Sequence, residues 1–427
     1  VNLLYNILAV KTKKSQYYSI KKHLKYIKSD QVSEHLIRTT LLSLFIVFSI
    51  GVILYARGYR FDPVRKQLSS TGILAVSSTP RAAKVYINGD FRGATDLNLS
   101  LSPGTYTVEV KKEGYTPYST TLKLRGEIVE VVNPVLFPLN PSLSPLTNLG
   151  ITKAEEIDSS DKILLFSENG NLETDGIYAF EASRTPLNIF QPLKRLALKS
   201  SLLQSGSFSD SNVEFSHDYK QAIITLLQED SSVSYLISLD QENQIPLNVT
   251  ESKQALLSAW EKEHKKELQK IFEAYPKEIR KIASDSFSMA RHSPDQTKVL
   301  YRAKRTVNLP MVIVPPLIGS NQTTESRQLL QDHVYVYDRK EDKNFEIGSS
   351  DKEIESIRWY SDSSHLVFGE VKQITLSDYD GTAKQAIYSG PLSQRFFAIT
   401  SAGQLLILSN LNPLQNPLPD IYEVGIR

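Results

Sequence analysis

The chain has 427 residues, 41% hydrophobic and 22% charged, and contains no Cys. That length is too great for one ordinary core, and that composition excludes wholesale disorder, so two to four units of about 150 residues are expected. The missing Cys removes disulfides, thiolate metal sites and a Cys nucleophile together.

Twenty-one Tyr and 16 Phe against two Met suit a β-rich protein. The net charge of +2 conceals an asymmetry. Residues 1–38 carry seven Lys and one Arg against Asp30 and Glu34, a net of +6, which leaves −4 for the remainder. The basic character belongs to the tail, and nothing points to a nucleic-acid-binding body.

The tail 1–38 is assigned to the cytoplasm. Its stretch Tyr17 to Lys28 mixes Lys with aromatics and Ile. It reads either as a basic amphipathic helix on an anionic leaflet or as a solvated tail.

Residues 39–56 then form an uncharged, Pro-free apolar run, long enough as a helix to rise about 27 Å. The expected membrane anchor comprises Leu41, Leu42, Phe45, Val47, Phe48, Ile50, Val52, Ile53, Leu54 and Tyr55, flanked by Arg38 and Arg57. Both Arg side chains can snorkel to the interface, and Tyr55 and Tyr59 suit the headgroup belt. A cleavable signal peptide is the rival. The candidate site Leu54-Tyr55-Ala56 lacks a small residue at −3, so an uncleaved single-pass anchor is expected. Lys and Arg number eight before the span and four just after it (Arg57, Arg60, Arg65, Lys66). This places the N-terminus inside and the rest of the chain outside the cell membrane.

After a linker, 57–69, the pattern turns to period two. Strands are expected at 72–78, 84–87, 98–101, 105–111, 118–124 and 128–132, with an Asn88-Gly89 hairpin turn. That many short strands predict a small β-sandwich over 70–137. The residues Ser78-Thr79-Pro80, Val85-Tyr86-Ile87-Asn88-Gly89, Pro103-Gly104-Thr105-Tyr106-Thr107-Val108 and Lys111-Lys112-Glu113-Gly114-Tyr115 resemble the PEGA domain. Two stretches depart from that family: Pro80-Arg81-Ala82-Ala83 keeps only the first and last of its naming residues, and Gly93-Ala94-Thr95-Asp96 lacks the usual Pro. The resemblance implies a surface-associated binding or spacer module without catalytic residues. Tyr106, Tyr115 and Tyr118, with Tyr86, form a candidate surface-binding face for glycan. Tyr at alternating strand positions is also the pattern of a half-buried core.

Pro134, Pro138, Pro141 and Pro145 mark a stiff linker and a domain boundary at 138–150. Beyond it a turn followed by an apolar run recurs. It appears at Asp218 to Ile224, Asp295 to Tyr301 and Asp362 to Phe368, and more loosely at Ser159 to Leu165 and Ser401 to Ile407. The turn residues predict a hairpin and the apolar run an inner strand. The phrases His292-Ser293-Pro294-Asp295 and Ile357-Arg358-Trp359-Tyr360-Ser361-Asp362 resemble the turns of Tol-associated periplasmic and WD-type propellers. The expectation for 151–427 is a β-propeller of about six blades, give or take one.

Residues 250–285 interrupt it as a helical insertion. Asn248 to Glu251 is a plausible capping box, and Leu257, Trp260, His264, Leu268, Ile271, Phe272 and Tyr275 form one stripe until Pro276. The stripe should pack over the propeller rim, or else dock a partner. Leu317 to Gln331 reads as a mobile polar loop.

No His pair has metal-ligand spacing, and His217, His292 and His365 fall at repeat turns as solvated or turn-stabilising residues. Asp378-Tyr379-Asp380-Gly381 lacks the later ligands of a calcium loop. No nucleophile-elbow, phosphate-loop or dinucleotide motif occurs, so no catalytic, cofactor or metal residues are assigned. The expectation is a mainly β, membrane-anchored envelope binding or scaffolding protein, leaning away from an enzyme. Its partners would be the lipid bilayer and an envelope protein or glycan, with no nucleic acid. The alternative is an envelope hydrolase or lyase working in the propeller channel.

Overall fold

The computed structural model describes residues 36–56, 58–62, 67–157, 161–182, 193–202, 206–229, 231–349, 354–411, 413–414 and 416–426. The basic stretch Tyr17 to Lys28, Arg57 and the start of the loose repeat at Ser159 lie outside them. Among the described residues the protein is mainly β, with 43% strand and 17% helix. It divides into two compact units. One holds the described residues up to Ala75 with Asn98–Thr105 and Lys123–Glu130; the other holds Val76–Leu97, Tyr106–Leu122 and the described residues from Val131 onward.

In the first unit, helix α1 (Leu36–Ala56) has 21 residues and none of its apolar window is buried. It extends the expected span by three residues at its start. There the hydroxyls of Thr39 and Thr40 donate back to the Leu36 carbonyl, at 3.0 and 2.7 Å. A hairpin follows, β1 (Tyr59–Asp62) with β2 (Gln67–Ser70). Gly58 N–H donates to Tyr55 O at 3.1 Å, and Thr71 N–H to Gly58 O at 2.9 Å, so the helix end passes directly into the next strand.

The small β region contains β3 (Gly72–Val76), β4 (Lys84–Ile87), β5 (Asp90–Ala94), β6 (Leu97–Leu101), β7 (Gly104–Lys111), β8 (Tyr118–Leu124) and β9 (Val129–Val132). These form a three-stranded sheet, β6-β3-β9, and a four-stranded one, β5-β4-β7-β8. The turn between β4 and β5 is Asn88-Gly89, both at positive φ (51° and 86°), as its hairpin geometry requires. Val85, Ile87, Val108 and Val110 are buried, which is the inward half of the period-two pattern.

The Pro-rich segment is not a free linker. Phe137 is fully buried beside Tyr360, with ring centroids 6.1 Å apart. Within the same segment β10 (Ser142–Pro145) pairs antiparallel with β31 (Asp420–Gly425). Pro145 is tolerated because β10 is an edge strand, where a missing N–H leaves no gap in the ladder.

Five four-stranded antiparallel sheets follow from here among the described residues. The first runs β11 (Ile151–Glu156), β12 (Lys162–Ser167), β13 (Gly176–Glu181), β14 (Leu193–Leu198). The second runs β15 (Asn212–Phe215), β16 (Gln221–Leu227), β17 (Ser232–Ser238), β18 (Leu247–Asn248). Helices α2 (Lys253–Phe272) and α3 (Lys277–Ser286) separate it from the third, which is β19 (Phe287–His292), β20 (Lys298–Ala303) and two later strands. Between these lies the pair β21 (Val307–Asn308) and β22 (Gln328–Leu329), before β23 (Val334–Asp338) and β24 (Lys343–Gly348) complete the third sheet. The fourth is β25 (Ile357–Trp359), β26 (His365–Gly369), β27 (Gln373–Asp378), β28 (Gln385–Ser389). The fifth joins β29 (Phe397–Ile399), β30 (Leu405–Ser409) and β31 to β10. The described sheets of this kind number five.

Each recurring apolar run is the second strand of its sheet: β12, β16, β20, β26 and β30. Their runs are continuous, not alternating, because both faces are covered. In β30, Leu405 and Ile407 pack with Val367 and Ile374 of the fourth sheet, while Leu406 and Leu408 pack with Ile163 and Leu165 of the first. In β12, Leu164 and Phe166 face Ile224 and Tyr235 of the second sheet instead.

Helix α2 starts at Lys253, with Ser252 at its cap making no side-chain cap bond. The expected capping box is absent. Asn248 Oδ1 instead accepts from Thr250 N–H at 3.0 Å, a local turn that competes with capping. The chain breaks at Pro276 as expected, and Leu268, Phe272, Tyr275, Ile279 and Ala283 pack on the third sheet. The segment 317–331 is pinned, not free. Asn321 Nδ2 and Thr323 Oγ1 both donate to Asp380 Oδ2, at 2.8 and 2.6 Å.

Candidate binding cavity

The repeat turns share one geometry. The N–H of Ser216, Ser293 and Tyr360 each donates to the carbonyl five residues on, and that of Thr400 to the carbonyl four on. Three of the turns hold Tyr219, Gln296 and Ser363 at positive φ (54°, 57° and 61°), and the shorter fourth uses Gly403 at 78°. In two of them a Ser-x-Asp bond locks the corner. Ser216 Oγ donates to Asp218 and Ser293 Oγ to Asp295, both at 2.7 Å. Asp295 is held down at about 2: burial opposes ionisation, but the Ser293 hydroxyl and the Thr297 N–H and hydroxyl outweigh it.

These turns converge. Residues from all five sheets line one cavity of about 700 Å³: Glu156 and Asp161 of the first, His217 and Tyr219 of the second, Arg291 and His292 of the third, Arg358 and Trp359 of the fourth, Thr400 and Ser401 of the fifth. Helix α2 adds His264, Glu267, Leu268 and Ile271 over it. The helical stripe therefore serves two purposes, packing at its C-terminal end and lining a cavity along its middle.

The polar groups of the wall are organised. Arg358 Nε pairs with Glu156 Oε2, and its guanidinium lies 5.5 Å from the Phe397 ring centroid. Trp359 Nε1 donates to Arg291 O at 2.9 Å, and Arg291 Nη1 donates to the carbonyls of Ile354 and Ile357 at 3.2 and 3.0 Å. Asp161 accepts from Ser401 N–H and Oγ at 2.7 and 2.5 Å, joining the first sheet to the fifth. His217 Nδ1 is buried with no hydrogen-bond partner. Burial pushes His292 down to about 4, with Arg339 adding to the shift, so at neutral pH its ring is uncharged. Its Nδ1 lies 3.3 Å from Tyr275 Oη.

His217 and His292 are thus cavity-wall residues, not solvated turn residues. His365 is buried elsewhere, with Nδ1 2.6 Å from Asp362 and Nε2 3.3 Å from Asp378. Sequence reasoning missed Glu156 and Arg291, and it named Arg358 only as part of a turn phrase. The available signal was their place immediately before the repeat turns, at the ends of the strands that open the sheets. Among the described residues no group of three or more His, Asp or Glu is placed to hold a metal ion.

The candidate Tyr residues have separate partners. Tyr118 donates its hydroxyl to Asp378 at 3.2 Å, while Tyr115 forms an isolated bridge with Pro138. Tyr86 lies 5.6 Å edge-on to Phe91 with Lys111 over its ring. Tyr106 is half-buried in β7. Tyr118 is therefore engaged by the end of β27.

The PEGA domain family matches residues 71–136, so this stretch carries that domain. No curated protein matches the sequence. Similar solved structures include a putative TolB from Agrobacterium tumefaciens, 9% identical, covering 80% of this chain and 98% of that one with a TM-score of 0.20. TolB from Acinetobacter baumannii is 13% identical, covers 70% and 59%, and has a TM-score of 0.17. An auxiliary nutrient binding protein from Bacteroides thetaiotaomicron is 9% identical, covers 86% and 82%, and has a TM-score of 0.19. Overlaps of that size do not bear on function, and the architecture described above stands on its own sheet topology.

Proposed function

We propose that this is a membrane-anchored, extracytoplasmic binding or scaffolding protein of the cell envelope. In this reading the five sheets after residue 142 are the blades of a propeller, and the cavity at their repeat turns receives the partner. The PEGA domain acts as a spacer or surface-binding module, α1 spans the membrane, and the N-terminus is cytoplasmic. One observation supports this above others: a single cavity of about 700 Å³ draws its wall from all five sheets. That size suits a small ligand or a short peptide segment, and its aromatic and charged wall suits recognition. Of its carboxylates, Glu156 and Asp161 are engaged by Arg358 and Ser401, and Asp218 by the Ser216 hydroxyl.

The test is capture from envelope extracts by the full-length protein in detergent, with His264→Ala and Glu267→Ala as exposed cavity variants. Loss of a partner with these, at unchanged melting temperature, supports the reading. Loss with Tyr106→Ala and Tyr115→Ala instead would move the binding role to the PEGA domain. The hydrolase or lyase reading draws on the uncharged His292 in the cavity wall. Turnover of an envelope polysaccharide or peptide that disappears in His292→Gln would favour it.

A further inference from the structure

We propose that the outward face of β3 and β9 seats against the lipid headgroup layer, a proposal that rests on α1 spanning a bilayer. The face is apolar where a solvated sheet would be polar. Ile73 is 41% exposed and Val129 is 54% exposed, while Leu74 and Val132, on the opposite side of the same strands, are buried. Ile73 N–H donates to Ile128 O at 2.9 Å, which sets Ile73 beside Val129 on one side of the sheet. Val131 follows two residues along the same strand and is 68% exposed.

Hydrogen bonds tie this face to the helix end. The chain runs from Tyr55 O to Gly58 N–H, from Gly58 O to Thr71 N–H and Oγ1, and from Thr71 O to Glu127 N–H at 3.0 Å. Two Gly residues keep that junction tight. A Cβ at Gly72 would meet Arg125 O at 2.3 Å, and one at Gly126 would overlap the Ser70 hydroxyl. Ile73 is the first outward-facing residue of β3, about 7 Å along the strand from Thr71. The 21 residues of α1 rise about 31 Å, so its last turn ends at the hydrocarbon boundary. The headgroup layer beyond is roughly 5–8 Å deep. The sequence around the junction is basic, with Arg57, Arg60, Arg65, Lys66, Lys123 and Arg125 against Asp62, Glu127 and Glu130. That balance favours anionic phospholipid over a neutral surface. β-branched side chains at the face with cations around it are the two parts of an interfacial contact.

The chain has no Cys, so a single introduced Cys can be labelled without background. Ile73→Cys, Val129→Cys and, as a water-exposed reference, Leu414→Cys carry a nitroxide in the full-length protein. Each is placed one copy per nanodisc of phosphatidylcholine and phosphatidylglycerol. Expected is a several-fold loss of collision with a water-soluble nickel chelate at 73 and 129 relative to 414, with oxygen collision raised. Equal chelate access at all three sites overturns the docking. So does protection that appears only in discs holding two copies, which would mark a self-association face. Alkaline carbonate extraction of the unlabelled protein separates the two levels. Release into the soluble fraction removes the anchor reading itself, whereas retention with water-exposed labels removes the docking alone.

Discussion

Tyr118 of β8 donates its hydroxyl to Asp378 of β27, at 3.2 Å and 260 residues along the chain. Asp378 also receives His365 Nε2 at 3.3 Å, and Asp362 takes the other ring nitrogen at 2.6 Å. Nearby, Thr116 Oγ1 donates to Gln385 Oε1 at 2.7 Å. The stretch from Thr116 to Tyr118 is therefore fastened to β27 and β28 by polar side chains, beside the apolar packing of Phe137 on Tyr360. Burial and the Asp378 carboxylate both push the Tyr118 hydroxyl well above its ordinary value, so it stays a donor at any working pH. Tyr118→Phe should lower stability by about 1.5 kcal/mol, the worth of a hydrogen bond to a charged group. Limited proteolysis between residues 112 and 118 should quicken while the far-ultraviolet spectrum stays constant.

Two histidines give the protein opposed pH responses. Burial alone would lower His365, but its hydrogen bonds to Asp362 and Asp378 outweigh that and hold it at about 9. Folding thus favours its charged form. The contribution is complete below about pH 6.5 and is lost as pH rises through about 9. His292 runs the other way: folding favours the neutral ring, so its contribution is complete above about pH 6.5 and is lost as pH falls through about 4. Unfolding in urea across this range should show greatest stability near pH 6.5. His365→Asn should flatten the alkaline side alone, and His292→Asn the acid side alone.

Asp420 closes the fifth sheet through its carboxylate. Oδ1 accepts from Thr147 Oγ1 and Leu149 N–H, both at 2.9 Å, and Oδ2 accepts from Asn416 Nδ2 at 2.7 Å. Asp420→Ala strands these donors in a buried place. It should cost about 3 kcal/mol. Hydrogen exchange should localise the loss to β10 and β31.

Phe272 anchors the end of α2. Its ring lies 5.4 Å from Tyr275, 6.1 Å from Phe287 and 5.9 Å from His292. Phe272→Ala should cost about 3 kcal/mol by loss of transfer energy and the hole left behind. Because α2 is otherwise mostly exposed, protease cleavage within 253–270 should rise more than overall unfolding does.

The strands were legible because their signals are local. Asn88-Gly89 must turn, Val108 and Val110 must alternate, and the run Ala222 to Leu226 must be covered on both faces. The repeat turns were legible for the same reason, since a Ser-x-Asp bond spans two residues. What escaped was everything made by distant partners. Nothing in Pro141 to Pro145 names β31 as its mate, and its polar, Pro-flanked composition reads as a connector. The loop at 317–331 looked mobile because the carboxylate of Asp380 that pins it lies far along the chain. Arg358 and Glu156 are unremarkable separately, and only the meeting of two sheet ends makes them a cavity wall. His217 and His292 read as solvated or turn-stabilising because their turns carry polar residues, whereas α2 shares the cavity wall with them.

The pairing of β10 with β31 fixes an order of events. Thr147 and its acceptor Asp420 stand 273 residues apart, so the strand made first must wait unpaired until the partner has emerged. Loop closure over that span is entropically slow compared with the hairpins inside each sheet. The last sheet then acts as a clasp: the other four can form before β10 and β31 meet. A chain whose clasp is weakened should hold its secondary structure yet leave an edge available to neighbouring copies, which makes aggregation during biogenesis, rather than loss of binding, the first symptom of damage there.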